Sequence, residues 1–346
     1  MRLGWNAAAY QILNPGMRLW FAADGDAVAG FTSYRNTWVV AGAPVCTHDR
    51  LASVASELQH DAATRGCRLV YFGAGARLER LLGADGRHHL LRLGAQPSWD
   101  PRQWHDVVRH KATLRAQLNR ARNKGVRPFE WGAATVAARL SELRAVLDEW
   151  LHRRGLPPLH FMTEPDTLYD LRDRRVFVAE QHGQVVAFLV ATPIPARTGW
   201  LVEQWPRRSD AVNGTTHLLV DSAMRAFSAS HAAFATLGLA PLSDRAGPIG
   251  EGEPVWIRMV LRWIAAHGKR FYNFRGLDAF KASLQPMEWE PVYAIVPAPR
   301  ATRPMLVAVA AAFGGGNPAG FLARAAGHAL RREVSGVRSP NEKSHG

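Results

Sequence analysis

Short apolar runs that read as strands alternate with amphipathic runs that read as helices, and they do so in two series separated by a basic stretch at residues 102–127. An alternation of this kind predicts a layered α/β protein and argues against a helical bundle or an all-β sandwich. In the first series Arg18 to Ala23, Ala27 to Tyr34 and Thr37 to Val45 read as strands, with Asp24-Gly25 as the turn between the first two. Asp49 to Arg65 reads as a helix, with Asp49 as its cap and Gly66 as its stop. Cys67 to Gly73 is apolar on both faces, as a central strand should be, and His89 to Leu93 reads as one more strand.

In the second series Thr135 to Arg153 is an amphipathic helix built on Leu140, Leu143, Val146, Leu147, Trp150 and Leu151. Arg175 to Glu180 and Val185 to Pro193 form a hairpin around Gly183, and Thr198 to Trp205 adds a strand. Then follow a helix at Thr215 to Ser230, a strand at Phe234 to Leu239 and a helix at Pro254 to His267. Strands at Phe271 to Phe274 and Val292 to Val296 close the series. The expected organisation is a first module at 1–101, a basic linking helix at 102–127, a second module at 128–297 and a helical tail at 298–346. In that tail Ala319 to Val334 is the helix and Arg338 to Gly346 is disordered.

The 346 residues are 47% hydrophobic and 21% charged, enough apolar material for two cores. Two cysteines, Cys46 and Cys67, exclude a disulfide scaffold and a cysteine zinc site. No apolar run approaches a membrane span, and the start has no signal-peptide core, so a soluble cytoplasmic chain is expected. The phosphate-loop, zinc-hydrolase and serine-elbow motifs are absent.

The formal net charge is +14, and only five of the 43 cationic residues are lysines. An excess of arginine, whose planar fork grips phosphate and whose charge does not titrate, points to nucleic acid or an anionic membrane. Residues 102–127 concentrate it: Arg102, Arg109, Lys111, Arg115, Arg120, Arg122, Lys124 and Arg127 stand against one acid, Asp106. Val108, Ala112, Leu114, Leu118 and Ala121 supply a narrow apolar face, and Gly125 ends the segment.

Four stretches, in order, carry a family resemblance. They are Leu114-Arg-Ala-Gln-Leu-Asn-Arg-Ala-Arg-Asn-Lys-Gly125; Asp210-Ala-Val-Asn-Gly-Thr-Thr216; Leu237-Gly-Leu-Ala-Pro-Leu-Ser243; and Phe271-Tyr-Asn-Phe-Arg-Gly-Leu-Asp-Ala-Phe-Lys281, followed by Trp289-Glu-Pro-Val-Tyr293. Over roughly residues 10–297 the chain resembles the cytosolic C-terminal domain of the phosphatidylglycerol lysyltransferase/alanyltransferase family, of the multiple peptide resistance factor type. The resemblance implies tandem acetyltransferase-like (GNAT) folds joined by a positively charged helix. It implies transfer of an amino acid from aminoacyl-tRNA to a lipid hydroxyl, most simply that of phosphatidylglycerol, with aminoacyl-tRNA as co-substrate and neither coenzyme A nor metal as cofactor. The expected partners are aminoacyl-tRNA and an anionic phospholipid or membrane surface, with the protein peripheral at the inner face of the cell membrane. The membrane flippase region of bifunctional members has no counterpart in this chain. The family's Asp-Leu-Met-Arg-like stretch aligns with Gln204-Trp205-Pro206-Arg207, and its usual acid after the Asn-Gly loop is His217.

Such a reaction needs a positioned hydroxyl, help with its proton and donors for a tetrahedral oxyanion. Lys281 and Arg275 are the candidate anion contacts, with Arg207 as a matching clamp. The alternative for Lys281 is a solvated helix residue. Glu203 is a candidate base or α-ammonium binder, His217 a proton relay, and Asp221, one helical turn on, its orienting partner. Asn213 and Gly214 stand before a helix whose first amides could bind phosphate, and Gln204, Gly276 and Phe280 complete the expected substrate surface. Arg109, Lys111, Arg115, Arg120, Arg122, Lys124 and Arg127 are expected to track tRNA phosphates. Transfer to a small hydroxyl- or amine-bearing metabolite, a coenzyme-A-dependent N-acyltransferase and a non-catalytic RNA- or membrane-binding module remain as alternatives.

Overall fold

Gly25 adopts φ +78° between strands β1 (Arg18–Phe21) and β2 (Val28–Tyr34), the left-handed conformation that a tight hairpin requires. From this edge a twelve-stranded sheet is built, and the computed structural model describes residues 2–84, 86–154, 160–249, 274–298 and 302–316 of it and its surroundings. The other strands are β3 (Thr37–Ala41), β4 (Arg68–Ala74), β5 (His89–Trp99), β6 (Val126–Trp131), β7 (Arg175–Gln181), β8 (Gln184–Ile194), β9 (Gly199–Gln204), β10 (Phe234–Thr236), β11 (Ala240–Pro241) and β12 (Glu288–Val296). Their order is β1-β2-β3-β4-β12-β5-β10-β9-β8-β7-β6, with β11 also paired to β5. The architecture is mixed α/β, one large sheet whose first half meets its second half where β5 pairs with β10.

The helices are α1 (Leu51–Thr64), α2 (Ala76–Gly83), α3 (Trp104–His110), α4 (Ala112–Asn123), α5 (Ala133–Ala138), α6 (Leu140–Arg154), α7 (Thr215–Ala229), α8 (Phe274–Ser283) and α9 (Arg303–Phe313). Helix α1 buries Leu51, Val54, Ala55 and Leu58 against β4, as its pattern predicts. Its N-cap is Arg50 rather than Asp49, and no side chain caps it. Helices α4 and α7 cover one face of the second half of the sheet, and α6 covers the other.

Several expectations are corrected. The basic segment is not one helix: the backbone turns extended at Lys111 (φ −106°, ψ 96°), which separates α3 from α4, and Arg127 lies on β6. The break leaves both pieces on one core: Trp104 and Val108 of α3 and Leu114, Leu118 and Ala121 of α4 are buried together with α7. Thr135 to Arg153 is likewise two helices, α5 and α6. The strand expected at 292–296 begins at Glu288, and it lies between β4 and β5 of the first module rather than in the second. It fits there because β5 offers an antiparallel edge along its whole length, Glu288 to Val296, and β4 pairs with Tyr293, Ala294 and Ile295 on the other side. The expected strand at 271–274 is replaced at Phe274 by the start of α8, and its other residues lie outside the described ones, as do the helices expected at 254–267 and 319–334 and the chain end at 338–346. Elements that went unread in sequence include a 3-10 helix at Ala7–Leu13, α2, β6 and β11. In the tail, α9 packs Ala308 and Ala312 against Val39 and Ala41 of the first module.

Strands β9 and β10 run parallel through Phe234↔Gly199, Ala235↔Trp200 and Thr236↔Leu201, then part. Strand β9 continues to Gln204, while the other chain turns at Gly238 to pair β11 with β5. This splay strips backbone carbonyls of strand partners in the middle of the protein, and buried carbonyls must be satisfied. Lys281 meets the requirement.

Candidate active site

Lys281 is buried to 1% exposure, and its Nζ donates to the carbonyl oxygens of Gly238 and Leu239, each at 2.8 Å. Burial drives its pKa down to about 7, with Asp278 opposing the shift. Two carbonyl acceptors match the two N–H donors of a neutral amine, so the site tolerates the uncharged form. Lys281 is therefore not a solvated helix residue. Neither Lys281 nor Arg275 lines the pocket described next; Arg275 is exposed on the first turn of α8.

That pocket, of ≈390 Å³, lies where the end of β9, the loop before α7, α4 and α8 meet. Trp205, Arg207, Asn213, Gly214, Thr216, His217, Arg120, Gln117 and Phe280 are among the residues that line it. Gly214 is its hinge: φ is +98°, and an added Cβ would collide with the carbonyl oxygen of Gln117. Only glycine allows the loop to close against α4 there. The loop delivers the first turn of α7, a 15-residue helix, to the pocket wall. Its leading amides have no intrahelical acceptor and carry the positive end of the helix dipole. Arg207 donates to the carbonyl of Ala211 at 3.4 Å, and neither it nor Arg120 has a carboxylate partner among the described residues. Two uncompensated guanidinium groups and a helix N-terminus in one concave site favour an anion.

His217 reaches Ser283 Oγ at 3.2 Å and meets the Phe280 ring edge-on at 5.0 Å. Burial lowers its pKa, so the imidazole is neutral at pH 7 and one ring nitrogen is free to accept a proton. Phe280 also packs on Trp205, with ring centroids 5.7 Å apart, and closes the pocket floor. Gly276 lies one turn before Phe280 on α8, away from the lining.

Asp221 does not orient His217. It is buried and accepts from Trp104 Nε1 at 2.9 Å, Arg122 Nη2 at 2.9 Å and Arg225 Nε at 3.0 Å, which pins α3 and α4 to α7. Gln204 also turns away from the pocket: its amide accepts from Thr167 Oγ1 at 2.8 Å and donates to Pro165 O at 3.1 Å. Glu203 is buried beside Arg174 (3.5 Å) and Gln11 (3.1 Å), and burial pushes its carboxyl pKa up.

The basic face is thinned by internal partners. Arg122 is bound to Asp221, Arg109 pairs with Asp106 at 3.0 Å, and Arg115 donates to the carbonyls of Val108 and Arg109 at the end of α3. Lys111, Arg120, Lys124 and Arg127 have no carboxylate partner among the described residues, although Arg127 donates to the carbonyl of Arg122. Thr216, Gln117 and Trp205 lay inside the quoted motifs without being singled out, whereas Trp150 gave no signal as a pocket residue.

Fold and site together define a mixed α/β protein with a pocket at the end of β9 that gathers two guanidinium groups and a helix N-terminus. A family model described as phosphatidylglycerol lysyltransferase, C-terminal, matches residues 3–296, and the chain belongs to that family. It is 24% identical over 294 residues to the phosphatidylglycerol lysyltransferase of Bacillus subtilis (strain 168), covering 84% of this chain and 33% of that protein. The chain thus spans about a third of the length of that curated relative. Among solved structures it is similar to the C-terminal domain of a lysylphosphatidylglycerol synthetase from Agrobacterium fabrum (TM-score 0.75, 23% identity, 90% of this chain and 94% of that one). It is also similar to L-PGS from Bacillus licheniformis (TM-score 0.71, 23% identity, 89% and 92%). Among the described residues no helix is long and apolar enough to cross a membrane.

Proposed function

We propose that this protein transfers an aminoacyl group from aminoacyl-tRNA to a hydroxyl of phosphatidylglycerol, working at the surface of an anionic membrane. The observation that carries this reading is the convergence of Arg120, Arg207, the start of α7 and neutral His217 on one pocket. The names of the relatives support phosphatidylglycerol as acceptor and a lysyl group as donor.

An aminoacyl ester is already activated, so the exchange is ester for ester and needs no ATP. The lipid hydroxyl oxygen attacks the ester carbonyl as His217 takes the hydroxyl proton. The tetrahedral oxyanion gains from the guanidinium of Arg207 and the leading amides of α7, each donor contributing about 2.7–4 kcal/mol in comparable sites. Collapse breaks the bond to the terminal ribose oxygen of tRNA, which takes the proton back from His217. The products are the aminoacylated lipid and free tRNA. No coenzyme A or metal enters this scheme. Lys111, Arg120, Lys124 and Arg127 are the cations available for tRNA phosphates.

The test incubates the protein with labelled aminoacyl-tRNAs and vesicles containing phosphatidylglycerol. RNase-sensitive label in the lipid phase is expected. Label confined to a water-soluble product rejects the lipid acceptor, and no transfer of label rejects the enzyme reading.

A further inference from the structure

The last turn of α8 reaches two places at once. Lys281 leaves it towards the carbonyls of Gly238 and Leu239, while Phe280 and Ser283 leave it towards His217 on α7. The four carbonyls that end a helix lack intrahelical donors, and Phe280 carries one of them. Ser283 Oγ donates to that carbonyl at 2.6 Å.

A hydroxyl has one proton to give. The short contact to Phe280 takes it, so the longer contact to His217, 3.2 Å between Oγ and Nε2, runs the other way: Nε2–H donates and Oγ accepts. The reverse arrangement would turn the hydroxyl away from Phe280 and leave a part-buried helix-end acceptor unmet, which is costly.

Burial keeps the His217 ring neutral at pH 7. A neutral imidazole carries a single N–H, so the proton on Nε2 leaves Nδ1 bare. Nδ1 has no hydrogen-bond partner among the described residues, and His217 is part of the pocket wall. The Phe280 ring, edge-on with its centroid 5.0 Å away, holds the imidazole from the side. The ring also stands at the C-terminal end of α8, where the negative end of the helix dipole favours an imidazolium as it forms.

We propose that Ser283 is a positioning residue for the transfer: it holds His217 in the Nε2–H tautomer, so that Nδ1 is the nitrogen that takes the hydroxyl proton. This rests on the aminoacyl-transfer reading above. As the lipid oxygen bonds to the ester carbonyl carbon, its proton passes to Nδ1, and Nε2 keeps its own proton on Ser283. When the bond from that carbon to the ribose oxygen breaks, Nδ1 hands the proton to the ribose oxygen. His217 ends neutral and in the tautomer in which it began, with no ring flip between the two halves of the reaction. The arrangement follows the general rule that a base is oriented by a third group.

Isotopic labelling of histidine nitrogen tests this without any transfer step. Long-range proton–nitrogen spectra of the full chain, recorded well above the ordinary imidazole range, show which ring nitrogen carries the proton. Comparison with His217→Gln picks its signals out of the 14 histidines. In the native chain Nε2 should be protonated and Nδ1 bare. Ser283→Ala should let the other tautomer appear, drawing the two nitrogen shifts together. It should also lower kcat by at least about ten-fold while KM for aminoacyl-tRNA stays within about two-fold. A proton on Nδ1 in the native chain overturns the proposal whether or not the variant folds. So does a folded Ser283→Ala with the native spectrum, with the native kcat, or with a change in KM alone. The Nε2–H tautomer together with no label in any product leaves the pairing of Ser283 and His217 standing but removes the transfer reading, and the positioning role falls with it.

Discussion

The Nζ of Lys281 lies 2.8 Å from the carbonyl oxygen of Gly238, at the point where β9 and β10 separate. A side chain here does what a neighbouring strand does elsewhere in the sheet. Removing it by Lys281→Met leaves two buried carbonyls unmet, at about 1–3 kcal/mol each. The pH dependence has a definite sign. The folded pKa is about 7 against an ordinary lysine value of 10.5, so between these values the unfolded chain binds more protons and stability rises with pH. The advantage of the native protein over Lys281→Met in thermal melts should therefore grow from pH 7 to pH 9.5. Parallel curves would show that the ammonium is not desolvated.

Gly214→Ala should cost at least about 1–3 kcal/mol, because φ is +98° and the new methyl meets the Gln117 carbonyl. Urea unfolding measures it. Gly132→Ala, at a helix start with nothing near the added carbon, serves as the control with little change.

His217→Gln should lower the transfer rate while leaving the melt within about 1 kcal/mol. In the native protein the imidazole pKa is depressed by burial, so the rate should be level through neutral pH and fall only below the ordinary imidazole range, as the ring protonates. The acid limb should vanish in the variant. A profile that keeps its acid limb assigns the base elsewhere.

Lys111, Arg120, Lys124 and Arg127, the cations of the 102–127 segment without carboxylate partners among the described residues, should govern salt sensitivity. Replacing one that touches a tRNA phosphate should flatten the slope of log K against log salt by about 0.7–0.9. Arg122→Gln should change the slope less and stability more, since Arg122 holds the buried carboxylate of Asp221. Filter binding across a salt series, with melts on the same samples, separates the two effects.

Asp221→Ala should destabilise by about 1.5–3 kcal/mol, the loss of charge-assisted hydrogen bonds from Trp104, Arg122 and Arg225. The half-exposed arginines can return to water, which keeps the cost in that range. Differential scanning calorimetry checks it, and an unchanged midpoint would remove Asp221 as the link between α4 and α7.

Local signals were read correctly where one face of an element meets the core. The apolar period of α1, the hairpin about Gly183 and the Asn213-Gly214 entry to α7 are written in adjacent residues, because turn chemistry and amphipathic period act over a few positions. The motif around Lys281 was legible as unusual, but its meaning was not. Whether a lysine meets solvent, substrate or two carbonyls depends on strands more than forty residues away in the chain. The same holds for Asp221: its spacing from His217 suggested a pair, yet three partners from other helices or the next turn claim it.

Sequence alone determined the alternating α/β plan, the concentration of positive charge at 102–127 and the family. Tertiary structure alone decided that β12 sits among strands of the first module, that the basic segment breaks at Lys111, and which cations stay free of carboxylates. It alone joined Gln11 to Glu203 across the chain. The physical reason is range: propensity, charge and period are properties of neighbouring residues, whereas burial and pairing are set by which distant segments the sheet brings into contact.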